Sequence, residues 1–144
     1  MASDDPVDIV TRFCATWKTG DTHALSAFFT DDATYQNMMD NPCHGREKIH
    51  QVLGSFYTFT PSIDFRIRSI AASGSTVLTE RIDVCTTTQD VTVHLPIAGV
   101  FEIRDGRIAA WRDYYDTAQF RRMLAGPPRD PDQPDDAHLG VAAP

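Results

Sequence analysis

Five polar side chains interrupt stretches that otherwise read as β-strand. They are Tyr35 and Asn37 in "TYQN", Arg81 and Asp83 in "TERIDV", and Asp113 in "AAWRDYYD". Strand side chains alternate between faces. Tyr35 and Asn37 therefore share a face, as do Arg81 and Asp83, and as do Trp111, Asp113 and Tyr115. Val77 and Thr79 continue the face of Arg81. Leu78, Ile82 and Val84 point the other way, with Glu80 interrupting them. If the first-named faces converge, one cation meets two carboxylates and cannot neutralise both. In a dry pocket one carboxyl is then pushed to keep its proton near neutral pH. An acid and a base in one site are what epoxide opening, hydration or proton relocation require. The same residues also fit a structural part, as an ion pair tying strands together or a solvated rim. Such pairs perturb pKa values without catalysing anything. The pattern alone leaves both readings open.

The elements that must position these residues fall into two blocks. In the first, Asp4 or Asp5 caps a helix with Pro6 at its first position. Ile9, Val10, Phe13, Cys14 and Trp17 follow at helical spacing, and Gly20 ends it. Asp21 opens a short second helix with Leu25, Phe28 and Phe29 on its apolar side. Residues 33–38 read as a short strand and "NPCHG" (41–45) as a loop. A third helix is expected over 46–57, with Ile49, Val52, Leu53 and Phe56 apolar. The second block is β: strands are expected at 63–71, 76–87, 91–103 and 107–115. Asp105-Gly106 marks a hairpin, because a type I′ turn needs positive φ at both central positions. Asp116 or Thr117 caps a last helix through Leu124. Residues 126–144 are rich in Pro and Asp and poor in large apolar side chains, so they read as a disordered tail after a single domain over 1–125.

Helices followed by an antiparallel meander make an α+β pattern. A curved sheet wrapped around helices encloses a deep interior pocket, the usual home of a small ligand. Leu95, Ile97, Phe101 and Trp111 are the expected apolar walls, and Met38 an adaptable residue near the mouth.

The net charge is −7. No basic stripe is visible, which argues against nucleic acid as a partner. The apolar runs are too short to span a bilayer. The acidic start "MASDDPVD" has no apolar stretch and does not read as a secretory leader. Cys14, Cys43 and Cys85 are odd in number and form no CxxC pair, which fits free thiols in the cytoplasm. The five histidines lack metal-ligand spacing and HExxH is absent. His94 is expected near the pocket rim. No serine sits in a G-x-S-x-G elbow.

The segments "YQNM", "TERIDV", "GVFEI", "DGRIAAWRDYYD" and the closing "QF" resemble the limonene-1,2-epoxide hydrolase family, within the wider NTF2-like and SnoaL-like cone folds. The resemblance runs from Val7 to Leu124 in the same order. It implies a cone-shaped, curved mixed sheet packed against N-terminal helices, and a homodimer. It also implies cofactor-independent, one-step hydrolysis of an epoxide to a vicinal diol, with no metal. Arg81 and Asp83 match the family's R-x-D, Asp113 the Asp of its WRD strand, and Tyr35 and Asn37 its Y-x-N pair. These positions imply Asp113 as base, Asp83 as acid, Arg81 as bridge, and Tyr35 and Asn37 as holders of the catalytic water. "HLPIAGV" and the 37–45 loop depart from the pattern and leave the substrate's shape open. Two alternatives remain: a ketosteroid-isomerase-like or polyketide-cyclase-like enzyme of the same fold, and a non-catalytic binding module.

Overall fold

The computed structural model describes residues 3–126; of the expected tail at 126–144, residues 127–144 lie outside them. Helix α1 (Pro6–Thr16) starts where the Asp5 side chain accepts a hydrogen bond from the Val7 N–H. That satisfies one of the donors a helix N-terminus leaves free. A 3₁₀ turn (Trp17–Thr19) extends it and stops at Gly20, whose φ of 71° is left-handed and cheap only for glycine. Asp21 caps α2 (Thr22–Ser26) in the same manner.

Strand β1 (Phe29–Asn37) begins earlier than its apolar pattern indicates. Phe29 was expected on α2, because its spacing from Leu25 is helical. It instead pairs with Ile108 in the sheet. The loop at 41–45 contains a two-residue strand, β2 (Cys43–His44), against Thr34 and Tyr35. Helix α3 (Arg46–Phe59) buries Ile49 and Leu53. The meander follows as β3 (Ser62–Ser73), β4 (Thr76–Thr86), β5 (Thr92–Arg104) and β6 (Arg107–Tyr114), closed by α4 (Thr117–Ala125). The β5–β6 turn has φ of 52° at Asp105 and 75° at Gly106, the left-handed pair that a type I′ hairpin demands.

The six strands form one curved mixed sheet in the order β2-β1-β6-β5-β4-β3. Only β1 and β6 run parallel; the other neighbours are antiparallel. Register shifts at Ile67/Ser69 and Glu102/Ile103 bend and twist the strands, as bulges do. The concave face closes over α1. Phe13 meets Phe29, Phe101 and Trp111 edge-on, with ring centroids 5.4, 5.9 and 5.2 Å apart, the geometry aromatic quadrupoles favour.

Strand β4 is inverted relative to simple hydrophobic logic. Its buried face carries Val77, Thr79, Arg81 and Asp83, while Leu78 on the other face is 50% exposed. The outer face of β5 shows His94 and Pro96. His94 was expected near the pocket rim, and Pro96 lies in the segment that departs from the family pattern. Alternation sends them outward, because Leu95 and Ile97 take the inner positions. β5 pairs with β6 only from Ala98 on, so Pro96 stands where β5 is locally an edge and its missing N–H breaks no ladder. Among the described residues no helix is long and apolar enough to cross a membrane.

Candidate active site

The alternation of β4 and β6 sets the site. Arg81 and Asp83 project inward two residues apart, and Trp111 and Asp113 do the same on β6. Strand β5 lies between them, so Arg81 must cross a strand to reach Asp113. It crosses at Gly99, which pairs with Thr79 on one side and Asp113 on the other. A Cβ at Gly99 would lie 2.4 Å from Arg81 Nη1 and 2.7 Å from Asp113 Oδ1. Sequence reasoning passed over this glycine, since its role exists only once three strands are in register.

The guanidinium is 1% exposed, and all five of its N–H donors are engaged. Nε and Nη2 donate to Asp83 Oδ1 and Oδ2 at 3.0 Å each. Nη1 and Nη2 donate to Asp113 Oδ1 at 3.1 Å and Oδ2 at 2.8 Å. Nη1 also donates to Thr79 Oγ1 at 3.3 Å. The planar fork suits two bidentate carboxylates in a way an ammonium does not. Phe65 lies beneath it, 4.5 Å from ring centroid to Arg81 Cζ, a cation–π contact. Burial pulls the Arg81 pKa down, but Asp113 and Asp83 outweigh it and hold it well above its usual value. Arg81 is therefore a fixed cation.

Asp83 behaves differently. Burial pushes its carboxyl up to about 6, against the pull of the Arg81 charge and hydrogen bonds and with help from Asp113. That makes it the candidate for the proton-holding group the charge count calls for. Tyr35 keeps its proton: burial, then the Asp113 charge, raise its pKa well above the ordinary value. Its hydroxyl donates to Asn37 Oδ1 at 3.0 Å. Asn37 is the register partner of Asp113, and Tyr35 that of Trp111. The Trp111 indole N–H donates to Asp113 Oδ1 at 2.7 Å.

Asp83, Asp113, Tyr35 and Asn37 all line one cavity of about 180 Å³. Arg81 does not reach its wall; it lies behind the two carboxyls. Of the expected wall residues, Leu95, Ile97 and Trp111 line the cavity. Phe101 does not: it is fully buried, stacked on Trp111 and capped by Phe13. Alternation correctly turned it inward but could not say that it sits at the core end, beneath α1. Met38 is 37% exposed and off the wall, because the strand ends at Asn37 and the chain turns outward. Helices supply wall residues that strand logic missed. Trp17 comes from the 3₁₀ turn, Phe56 from α3, and Phe120 and Leu124 from α4. Their apolar helical spacing was visible, but which cavity they would meet was not. Cys85 also lines the cavity, and burial pushes its thiol up to about 12, so it stays protonated and a weak nucleophile.

A family model described as "Limonene-1,2-epoxide hydrolase catalytic domain" matches residues 4–126. The chain belongs to the limonene-1,2-epoxide hydrolase family. The epoxide hydrolase EphG of Mycobacterium tuberculosis is 33% identical over 107 residues, covering 74% of this chain and 70% of that protein. A solved M. tuberculosis structure described as an LEH-like epoxide hydrolase has a TM-score of 0.75 and 30% identity, covering 84% of this chain and 90% of the other. More distant structures share the fold alone. One is a Catenulispora acidiphila protein with a ketosteroid-isomerase-like fold, crystallised with trimethylamine, at TM-score 0.76 and 22% identity over 83% of this chain and 93% of its own. Another is an NTF2-like protein of Burkholderia pseudomallei at TM-score 0.76 and 15% identity over 86% of this chain and 99% of its own. The curved mixed sheet thus belongs to a widely used architecture, while the family match singles out the epoxide hydrolases within it.

Proposed function

We propose that this epoxide hydrolase adds water to a neutral, apolar epoxide in one step, by general acid and general base catalysis, without a covalent ester. The observation that carries the reading is one guanidinium held between two buried carboxyls, with burial pushing that of Asp83 up to about 6. A carbon-base isomerase needs one carboxylate and an oxyanion donor; the second Asp on the same Arg has no task in it. A passive binding module would gain nothing from three buried ionisable groups.

The hydrogen-bond inventory supports a part for each group. Tyr35 spends its proton on Asn37 Oδ1, so its oxygen accepts and the Asn37 amide N–H₂ donates. A water between Asn37, Tyr35 and Asp113 accepts from Asn37 and donates to Tyr35 and Asp113. One lone pair is left, and it attacks an epoxide carbon from the side opposite the breaking C–O bond. Asp113 takes the water proton and Asp83 gives its own to the opening oxygen. The product is a vicinal diol, trans on a ring. The proton returns from Asp113 to Asp83 before the next turnover. General acid and general base assistance are each worth roughly 10² to 10⁴ in rate, and holding the water in line removes orientational entropy from the barrier. Leu95, Ile97, Phe65 and Trp17 leave most of the wall apolar, which suits a cyclic or terpene-like alkene oxide and penalises a charged substrate.

The test is a single turnover in ¹⁸O-water with cyclohexene oxide and limonene oxide. Direct attack puts label in the first diol formed. Label that appears only after several turnovers would mean that Asp83 or Asp113 had formed an ester, and would overturn the one-step reading. Two copies are further proposed to pair across the outer sheet face, where Leu78 is exposed beside the half-buried Ile82 and Val84. Sedimentation at twice the mass of one chain is the expected result, and a monomer at micromolar concentration would refute it.

A further inference from the structure

The two carboxyls of the site are nearly equivalent. Each is 3% exposed, each takes a two-point contact from Arg81, and Nη2 serves both. Burial and the guanidinium act on both carboxyls, so neither by itself tells the two apart. A single neutral donor does distinguish them. Trp111 Nε1 donates to Asp113 Oδ1, and no corresponding side-chain bond reaches Asp83 among the described residues.

We infer that Trp111 is a positioning residue that assigns the acid and base roles, holding the shared proton on Asp83 and presenting Oδ2 of Asp113 as the proton-accepting atom. The inference rests on the acid–base reading above and deepens it. A carboxylate oxygen has two acceptor positions. On Asp113, Oδ1 is filled by Arg81 Nη1 at 3.1 Å and Trp111 Nε1 at 2.7 Å, whereas Oδ2 takes only Nη2 at 2.8 Å. One lone pair of Oδ2 is free for the water proton. Asp83 takes one donor on each oxygen and has room for a proton on either. A hydrogen bond to an ionised group favours the ionised form. The indole thus pins Asp113 as carboxylate and leaves the proton to Asp83.

The indole is built to hold this direction. It stacks on Tyr35 at 4.3 Å and on Phe101 at 5.6 Å with an 11° interplanar angle. Phe13 closes its edge at 5.2 Å. Tyr35 and Phe101 are also its register partners on β1 and β5, so three adjacent strands clamp the ring. The spacing W-x-D on one strand face then aims the N–H at the carboxyl two residues on.

The first arm of the test needs no substrate. Site-specific ¹³Cγ labelling of aspartate reports the protonation of Asp83 and Asp113 separately during a pH titration of the full chain. In the wild type, Asp83 takes up the proton while Asp113 stays ionised through that step. In Trp111→Phe, which removes the N–H and keeps a ring, the preference for Asp83 is expected to fall about tenfold to a hundredfold, the usual worth of one hydrogen bond to a charged group. Asp113 then titrates in the same step. If the Phe variant folds poorly, β-(3-benzothienyl)alanine at position 111 replaces N–H with sulfur and keeps the bicyclic shape. In that isostere kcat should fall about tenfold with KM unchanged, in line with the lost bond. Asp113 remaining ionised in both variants, or carrying the proton in the wild type, overturns the assignment. Failure of the wild type to open any epoxide would sink the proposed reaction while leaving these titrations to be judged separately.

Discussion

Exchange of either carboxyl for an amide, Asp83→Asn or Asp113→Asn, is expected to lower kcat/KM by at least about a hundredfold while the chain still folds. The two losses have different causes. Asn at position 113 has no basic oxygen, so the water keeps its proton and remains a poor nucleophile. Asn at position 83 resembles the neutral acid in shape and charge but has no acidic proton to give, so the opening oxygen must leave as an alkoxide. The pH profiles separate them. In the proposed mechanism Asp83 works in its protonated form, and burial pushes its carboxyl up to about 6. Wild-type kcat/KM should therefore be lost as pH rises through that value, by about tenfold per unit beyond it. The residual activity of Asp83→Asn should lack this limb, whereas that of Asp113→Asn should show it at lower pH. With the Asp113 charge gone, one cause of the upward shift at Asp83 is removed. Near-normal turnover in either variant would remove that residue from the role given to it.

The parts of this site that were legible in the sequence are those that depend on one strand at a time. Alternation along β4 puts Arg81 beside Asp83, and alternation along β6 puts Trp111 beside Asp113. The caps at Asp5, Asp21 and Asp116 were legible for the same reason, since each side chain bonds a backbone N–H two or three residues on. What was not legible depends on pairing between distant segments. Phe29 has helical spacing from Leu25 and strand partners only in the folded sheet. Phe101 and Leu95 look alike as inward strand residues, yet the height of each in the cone is set by where α1 docks. Trp17 follows the apolar helical spacing of the first helix, and it is 1% exposed. It also forms cavity wall, because in a small cone the innermost core and the floor of the pocket are the same layer.

Gly99 is the sharpest case of this non-local logic, and its replacement should be nearly as costly as loss of a carboxyl. Gly99→Ala places a methyl 2.4 Å from Arg81 Nη1, 2.7 Å from Asp113 Oδ1 and 3.0 Å from Thr79 Oγ1. A flexible side chain would step aside, but this guanidinium has no free donor and no free direction. Phe65 lies beneath it, and moving Nη1 breaks its bonds to Asp113 and Thr79. The methyl either splays the two carboxyls apart or strips Asp113 of its partner. Overpacking of this kind costs about 1–3 kcal/mol in stability, and partial loss of a buried ion pair adds to that. Activity should fall by about a hundredfold, because the base is no longer oriented. The comparison is Gly54→Ala on α3. There a Cβ meets nothing within 4 Å, and alanine should stabilise the helix by about 0.5–1 kcal/mol with turnover intact. Urea denaturation and kcat/KM measured on both variants decide the matter. A Gly99→Ala protein with wild-type stability and rate would mean that Arg81 does not need to pass between β4 and β6 at this point, and the bridged pair would lose its standing as the centre of the chemistry.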